Sequence, residues 1–182
     1  ITDNIATFTP DLDFNGTTTF TYLVTDGELT SSSATATITV NAVNDTPVLT
    51  TIDDQVIDED GVLSLTLSGS DVDEDDLTYS ASVDGNASID VTGTQLTVTP
   101  DGDYNGSITV SVNVTDGEYV DSQDFVLTVN AVNDTPVLTT IDDQVIDEDG
   151  VLLLTLSGSD VDEDDLTYSA SVDGNASIDV TG

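Results

Sequence analysis

The chain has 182 residues, with 37 Asp plus Glu against no Lys, Arg or His, and a formal charge of −37. Cys, Met and Trp are absent as well. A surface without cations repels nucleic acid and anionic membranes, and a chain without thiol or imidazole excludes thiol and Ser–His catalysis, structural zinc, haem ligation and disulfides. Hydrophobic residues still make up 37% of the chain. That is enough Val, Leu and Ile to build a core, which sets it apart from acidic disordered sequences. No apolar run approaches the roughly 18 residues of a membrane span. The first residues, Ile1-Thr2-Asp3-Asn4, carry neither a start Met nor a basic signal region, so the sequence reads as a stretch of a longer chain.

The elements follow a repeat. Residues 44–93 recur as 133–182 at an offset of 89, with 49 of 50 positions identical and Ser64 against Leu153 as the exception. The opening belongs to the same pattern. Thr9-Pro10-Asp11-Leu12-Asp13-Phe14-Asn15-Gly16 matches Thr99-Pro100-Asp101-Gly102-Asp103-Tyr104-Asn105-Gly106, and Val24-Thr25-Asp26-Gly27-Glu28 matches Val114-Thr115-Asp116-Gly117-Glu118. The expected organisation is the second half of a repeat over 1–43, a complete repeat over 44–132, and the first half of the next over 133–182. A period near 90 suits a string of domains better than a solenoid.

Taken in chain order through the complete repeat, period-2 alternation predicts half-buried strands. Residues 48–52 and 56–57 open it. Leu63, Leu65 and Leu67 share one face; Leu77, Tyr79, Ala81 and Val83 share another. Ile89 and Val91, then Leu96 and Val98, make two short strands. Ile108, Val110, Val112 and Val114 form the cleanest one, and Phe125, Leu127 and Val129 the last. Asp84-Gly85-Asn86, Asn105-Gly106 and Asp116-Gly117 supply turns between them. About seven short strands in this length predict an all-β fold of tandem immunoglobulin-like β-sandwiches. The opening segment should carry roughly the last three strands and the closing segment the first four. Ser64, between inward Leu63 and Leu65, should face outward, as should Leu153.

The complete repeat holds 19 of the acidic residues. They cluster as Asp53-Asp54, Asp58-Glu59-Asp60 and Asp71-Val72-Asp73-Glu74-Asp75-Asp76, with a looser group at Asp101 and Asp103. Nearly all fall at predicted strand ends. Adjacent carboxylates repel, and no basic side chain can neutralise them. Oxygen ligands without N or S select hard cations, and Ca²⁺ tolerates irregular loops better than Mg²⁺. The scattered Asp84, Asp90, Asp121 and Asp124 read as plain surface. Asp101-Gly102-Asp103-Tyr104-Asn105-Gly106 opens like an EF-hand loop, but its twelfth position is Val112, so a turn with local Asx hydrogen bonds is the better reading.

Several of these segments resemble a known family. Val40-Asn41-Ala42-Val43-Asn44-Asp45-Thr46-Pro47 is similar to the cadherin linker pattern D-x-N-D-x-P, with Asn41 in place of the first Asp. Asp58-Glu59-Asp60 resembles the cadherin x-E-x element and Asp71-Val72-Asp73 the D-x-D element. With its P-D-x-D-[FY]-N-G and T-D-G-E segments, the whole unit resembles the cadherin-like tandem repeats of large bacterial surface adhesins. The resemblance implies a cadherin-like sandwich with Ca²⁺ bound where consecutive domains meet. Carried over, the second junction would use Glu59, flanked by Asp58 and Asp60, then Asn130, Asn133 and Asp134 from the linker and Asp160 and Asp162 from the next repeat. The first junction would use Asn41, Asn44, Asp45, Asp71 and Asp73. Asp75 and Asp164 extend the D-x-D elements, and Glu148 is the repeat mate of Glu59. No D-R-E element is visible, and Asp116 or Glu118 is the candidate for its carboxylate.

The expected function is a non-enzymatic, extracellular, cell-surface repeat that Ca²⁺ stiffens so as to extend a distal binding domain. Its partners would be neighbouring identical repeats, with glycans as a modification or a distal ligand. The rival reading is a filament subunit whose half-domains complete each other head to tail. A purely solubilising acidic surface is the plain alternative for the charge.

Overall fold

The computed structural model describes residues 4–174 and 176–181, and these contain strands, turns and loops but no helix. β1 (Gly16–Tyr22) and β2 (Ala34–Val40) form an antiparallel hairpin that runs from Gly16↔Val40 to Tyr22↔Ala34. The complete repeat follows with β3 (Val48–Leu49), β4 (Gln55–Asp58), β5 (Leu63–Thr66), β6 (Gly69–Ser70), β7 (Thr78–Val83), β8 (Ala87–Thr92), β9 (Gln95–Pro100), β10 (Gly106–Thr115) and β11 (Val120–Asn130). β12 (Val137–Leu138) and β13 (Gly158–Ser159) come last.

Two main sheets make the complete repeat, in the orders β4-β11-β10-β7 and β5-β9-β8, with β3 and β6 as a separate pair. β4 runs parallel to β11; the other pairings are antiparallel. Side chains alternate between faces along each strand. Ile108, Val110, Val112 and Val114 therefore point inward together and are fully buried. Leu96 and Val98 of β9, and Phe125, Leu127 and Val129 of β11, meet them in one aliphatic core. Burial of each such side chain contributes about 1.5–3 kcal/mol, and the core is the main source of stability. Ser64 is exposed, and Leu153 is 92% exposed.

Two predicted strands are broken in the structure. Residues 48–52 do not form one strand: β3 pairs only with β6, and pairing with β11 begins at Gln55. Between them the backbone of Ile52 is held by a side chain, its N–H donating to Gln123 Oε1 at 3.2 Å and its carbonyl accepting from Gln123 Nε2 at 2.9 Å. The 63–67 run likewise ends as a strand at Thr66, and β6 then pairs with β3. Alternation records which side chains are buried, and it persists where side chains replace the backbone ladder.

The flanking segments form fewer strands than the sequence predicts, for a topological reason. β4, β5, β7 and β8 pair with β9, β10 or β11. The counterparts of β9–β11 do not occur within 133–182, and only the β3–β6 pair has both members there. Its counterpart, β12–β13, is what forms. The same rule leaves the opening segment with β1–β2, the counterpart of β10–β11, and one bridge, Thr25↔Thr30.

At the start of β10, Gly106 sits at φ 141, where an added Cβ would lie 2.8 Å from the Tyr104 hydroxyl. That hydroxyl donates to the Ser107 carbonyl at 3.1 Å. The Asn-Gly turn therefore needs glycine for both its backbone conformation and its close approach, and it fixes the loop that carries Asp103.

Candidate metal centre

Each end of the complete repeat carries loops rather than strands, and the acids gather there. At its outgoing end, β4 stops at Asp58 and the chain turns, with Gly61 N–H donating to the Asp58 carbonyl at 3.1 Å. Asp60 adopts the left-handed conformation at φ 60, which Asp tolerates better than most residues. This turn drives Glu59 inward, to 6% exposure. Glu59 Oε1 accepts from Val132 N–H, while Glu59 Oε2 is buried with no hydrogen-bond partner. An unpaired buried carboxylate is costly, and no Lys, Arg or His exists to relieve it.

Carboxylates from both sides of the second junction gather at this end of the repeat. Glu59, Asp134 and Asp162 bring carboxylate oxygens within 4.8 Å of one another, and so do Asp60, Asp103 and Asp134. Asp134 belongs to both groups. Its N–H donates to Asp162 Oδ2 at 2.7 Å, and Asp162 N–H donates to Asp160 Oδ1 at 3.0 Å, so the linker is fixed against the Asp160–Asp165 loop of the following repeat.

The first junction repeats this design. Asp45 N–H donates to Asp73 Oδ2 at 2.8 Å, and Asp73 N–H donates to Asp71 Oδ1 at 2.8 Å. Asp71, Asp73 and Asp75 form a third group with oxygens within 4.8 Å. Asp71 Oδ2 is buried and unpartnered, like Glu59 Oε2. Asp13, Asn41, Asp45 and Asp73 line one cleft here. Asn44 Nδ2 donates to Asp116 Oδ2 at 2.8 Å, and Asp116 Oδ1 accepts the Glu118 and Tyr119 amides, each at 2.7 Å. Partial burial works against the charge of Asp116, but the Tyr119 and Glu118 amides and Asn44 outweigh it and hold its pKa below the ordinary value.

Other residues singled out from the sequence lie apart from these groups. Asp58 Oδ1 is engaged by Asn130 Nδ2 at 3.2 Å, and Asn133 Nδ2 donates to the adjacent Asp134 carbonyl at 3.0 Å. Glu148 and Asp164 are exposed and belong to no group of three carboxylates among the described residues. Conversely, sequence reasoning weighed the loop of Asp103 and set it aside as a turn, and did not single out its counterpart Asp13. The 101–104 turn closes through the backbone, Tyr104 N–H to the Asp101 carbonyl at 3.2 Å, rather than through Asx hydrogen bonds. That leaves the Asp103 carboxylate free to face Asp60 and Asp134. The signal was present in the recurrence of Asp-x-Asp-aromatic-Asn-Gly at 11–16 and 101–106. Asp121 and Asp84 also prove to be more than surface: Asp121 Oδ2 accepts Leu49 N–H at 2.8 Å and Asp84 Oδ1 accepts Thr109 N–H at 3.0 Å.

Like charge shapes the titration of the junctions. Burial first, then Asp103, Asp162, Asp60 and Glu59, push the Asp134 pKa above its ordinary value of 3.8. Burial, then Asp13, Asp73 and Asp71, do the same to Asp45. A raised carboxyl pKa means that the folded state holds the proton more tightly than the unfolded state does. The repulsion is therefore present above the raised value and is relieved as pH falls through it. Protons and a divalent cation compete for the same oxygens. Terbium luminescence titrations should show cation affinity at the second junction falling as pH is lowered, with the fall setting in at a higher pH than an isolated Asp would require. An affinity that falls only where an isolated Asp protonates would contradict this.

Family models match two parts of the chain: "Bacterial Ig domain" over residues 44–128 and "Cadherin-like domain" over residues 1–41. These two stretches are thus similar to bacterial immunoglobulin-like and cadherin-like domains, respectively. Such domains are typically non-enzymatic structural modules of extracellular or surface proteins. No curated protein matches the chain. Similar solved structures include an endo-fucoidan hydrolase of glycoside hydrolase family 107, at 23% identity over 68% of this chain and 20% of that one, with a TM-score of 0.39. Human protocadherin-24 EC1-2 is 14% identical over 69% of this chain and 70% of that one, with a TM-score of 0.46. Surface layer protein SbsC, domains 4–9, is 18% identical over 71% of this chain and 20% of that one, with a TM-score of 0.39. The chain thus spans about a fifth of the hydrolase's length. No helix among the described residues is long and apolar enough to cross a membrane.

Proposed function

We propose that these domains form part of a bacterial surface adhesin in which Ca²⁺ at each junction stiffens a rod and holds a distal binding domain away from the cell. The observation that carries this reading is the buried, unpartnered Oε2 of Glu59, beside carboxylates contributed by the linker and the following repeat. Glu59, Asp134 and Asp162 would hold one cation, and Asp60, Asp103 and Asp134 would share in holding a second. Asp45, Asp71, Asp73 and Asp75 are the corresponding oxygens at the first junction, with Asp13 in the place of Asp103. An all-oxygen set on irregular loops suits Ca²⁺, with affinity of about 10⁻⁴–10⁻³ M as for extracellular modules.

The mechanism is electrostatic. Without a cation, carboxylates on the two sides of the junction repel and the linker bends. With Ca²⁺ bound, the same oxygens converge on one charge and the partner repeat is held in a fixed orientation. The neighbouring repeat in the chain is thus the principal partner. Small-angle scattering should give a larger maximum dimension in millimolar Ca²⁺ than in EGTA. An unchanged dimension overturns the stiffening role.

A further inference from the structure

The complete repeat shows what covers each half of the fold. Four of its six strand pairings join residues 44–93 to residues 94–132. β9 lies between β5 and β8, and β10 and β11 lie between β7 and β4. Residues 133–182 repeat the first of these halves, and residues 5–43 correspond to the second. Each segment therefore carries a face whose counterpart is core. Leu49 is 6% exposed and its repeat mate Leu138 is 67% exposed; Val110 is 0% exposed and its counterpart Phe20 is 39% exposed.

The opening face keeps the packing of that core with different residues. In the complete repeat Val110 stands opposite Phe125. In the opening segment the same cross-strand pair is Phe20 opposite Ala36, so the aromatic ring has crossed from one strand to the other. Leu96 and Val98 of β9 are wholly buried, and their counterparts are Ala6 and Phe8. Both changes set a gain in volume at one residue against a loss at its neighbour, the kind of exchange that cores tolerate best. A surface left to solvent carries no such constraint. The closing segment is plainer still: every inward residue of 44–93 recurs there, and its one difference, Leu153, faces outward. Its residues 152–155 and 176–181 are the counterparts of β5 and β8, the two strands that flank β9.

We infer that the opening face of one copy binds the closing face of a second copy, with residues 5–10 entering between residues 152–155 and 176–181 as β9 enters between β5 and β8. The recognition resides in the two faces, whatever precedes or follows them, and it needs no cation. Backbone pairing fixes the register, and the alternating inward side chains give the specificity. β11 runs 11 residues between the poles of the complete repeat, about 36 Å at about 3.3 Å per residue. The two faces of one copy therefore lie at opposite ends of that repeat. The contact is heterologous, so copies add head to tail rather than closing in symmetric pairs.

The test uses the full chain in EGTA and about 0.15 M NaCl, where the screening length is about 8 Å and repulsion between the acidic copies is damped. Sedimentation velocity from about 1 to about 100 μM should show species growing past dimer, as a micromolar Kd requires; a monomer throughout overturns the inference. Phe20→Asp spoils the opening face only, and Leu152→Asp the closing face only; neither lies within 44–132. Each variant by itself should stay monomeric. An equimolar mixture should stop at dimer, because one intact face of each kind remains. Growth of either variant alone, or a mixture that stays monomeric, overturns the pairing. The register has its own check, because the chain has no Cys. Leu65 stands opposite Leu96 in the complete repeat. Ala6→Cys on one copy should therefore cross-link on oxidation to Leu154→Cys on another, and not to Leu153→Cys on the outward face. Equal yields overturn the strand insertion.

Discussion

Glu59→Gln should make the complete repeat more stable in chelator and at the same time abolish its response to Ca²⁺. The wild-type side chain is 6% exposed, with one oxygen occupied by Val132 N–H and the other without a partner. Gln keeps the shape and the Oε1 acceptor but removes a buried charge that nothing in the chain neutralises. Leaving a buried polar group unsatisfied costs about 1–3 kcal/mol, and more when it is charged, so urea unfolding in EGTA should show a gain of about 1–3 kcal/mol. In Ca²⁺ the order reverses. Binding to the folded state stabilises it by about 2.7 kcal/mol when free cation is about 100 times Kd, and the variant forgoes this. Its affinity should fall by more than about 100-fold, beyond the losses of about 10–100-fold seen even for residues outside the ligand shell. A merely structural Glu59 would give a loss in both conditions. A solubilising-surface role for the acids would give no Ca²⁺ response in either protein.

Leu127→Ala should lower the stability of the complete repeat by about 2–5 kcal/mol, whereas Ser64→Leu should change it by less than about 0.5 kcal/mol. Leu127 is fully buried on β11, the strand that touches both β4 and β10, and stands opposite Gln55. Truncation opens a cavity beneath the central strands, and a sandwich of this size has only a small aliphatic core to spread the loss. Small domains hold roughly 5–15 kcal/mol in total, so a loss at the upper end removes much of that stability. Ser64 is exposed and gives up one hydrogen bond from Gln95 Nε2 at 2.8 Å, a surface bond that water can replace. The protein itself already carries Leu at the equivalent position 153. Urea titrations of both variants check the contrast. Comparable losses would mean that Ser64 occupies a packed site.

Strand positions were legible because alternation is local. The inward set Ile108, Val110, Val112 and Val114 could be read from the residues alone and is wholly buried. The breaks at 50–54 and after Thr66 could not. They depend on whether Gln123, about 70 residues away, or a neighbouring strand supplies the hydrogen bonds of Ile52. Asp121 read as surface for the same reason: its partner, Leu49 N–H, is 72 residues distant.

The sequence by itself determined the chemistry of the charge. With no cationic side chain, any compensation at the junctions must come from outside the chain, and the offset of 89 places the same linker acid and the same Asp-x-Asp loop at both junctions. It also determined an all-β sandwich, because period-2 burial leaves no helical face. Only the tertiary structure decided which acids meet. Asp103 joins Asp60 and Asp134 because β10 and β4 are both placed beside β11, and this brings the loop before the one and the turn after the other to the same pole. Only the fold made Glu59 the buried member of its run, since a turn at Asp60 points one carboxylate of three inward. Local pattern encodes which face a residue occupies; strand order and direction decide which loop ends share a pole, and that is a property of the whole chain.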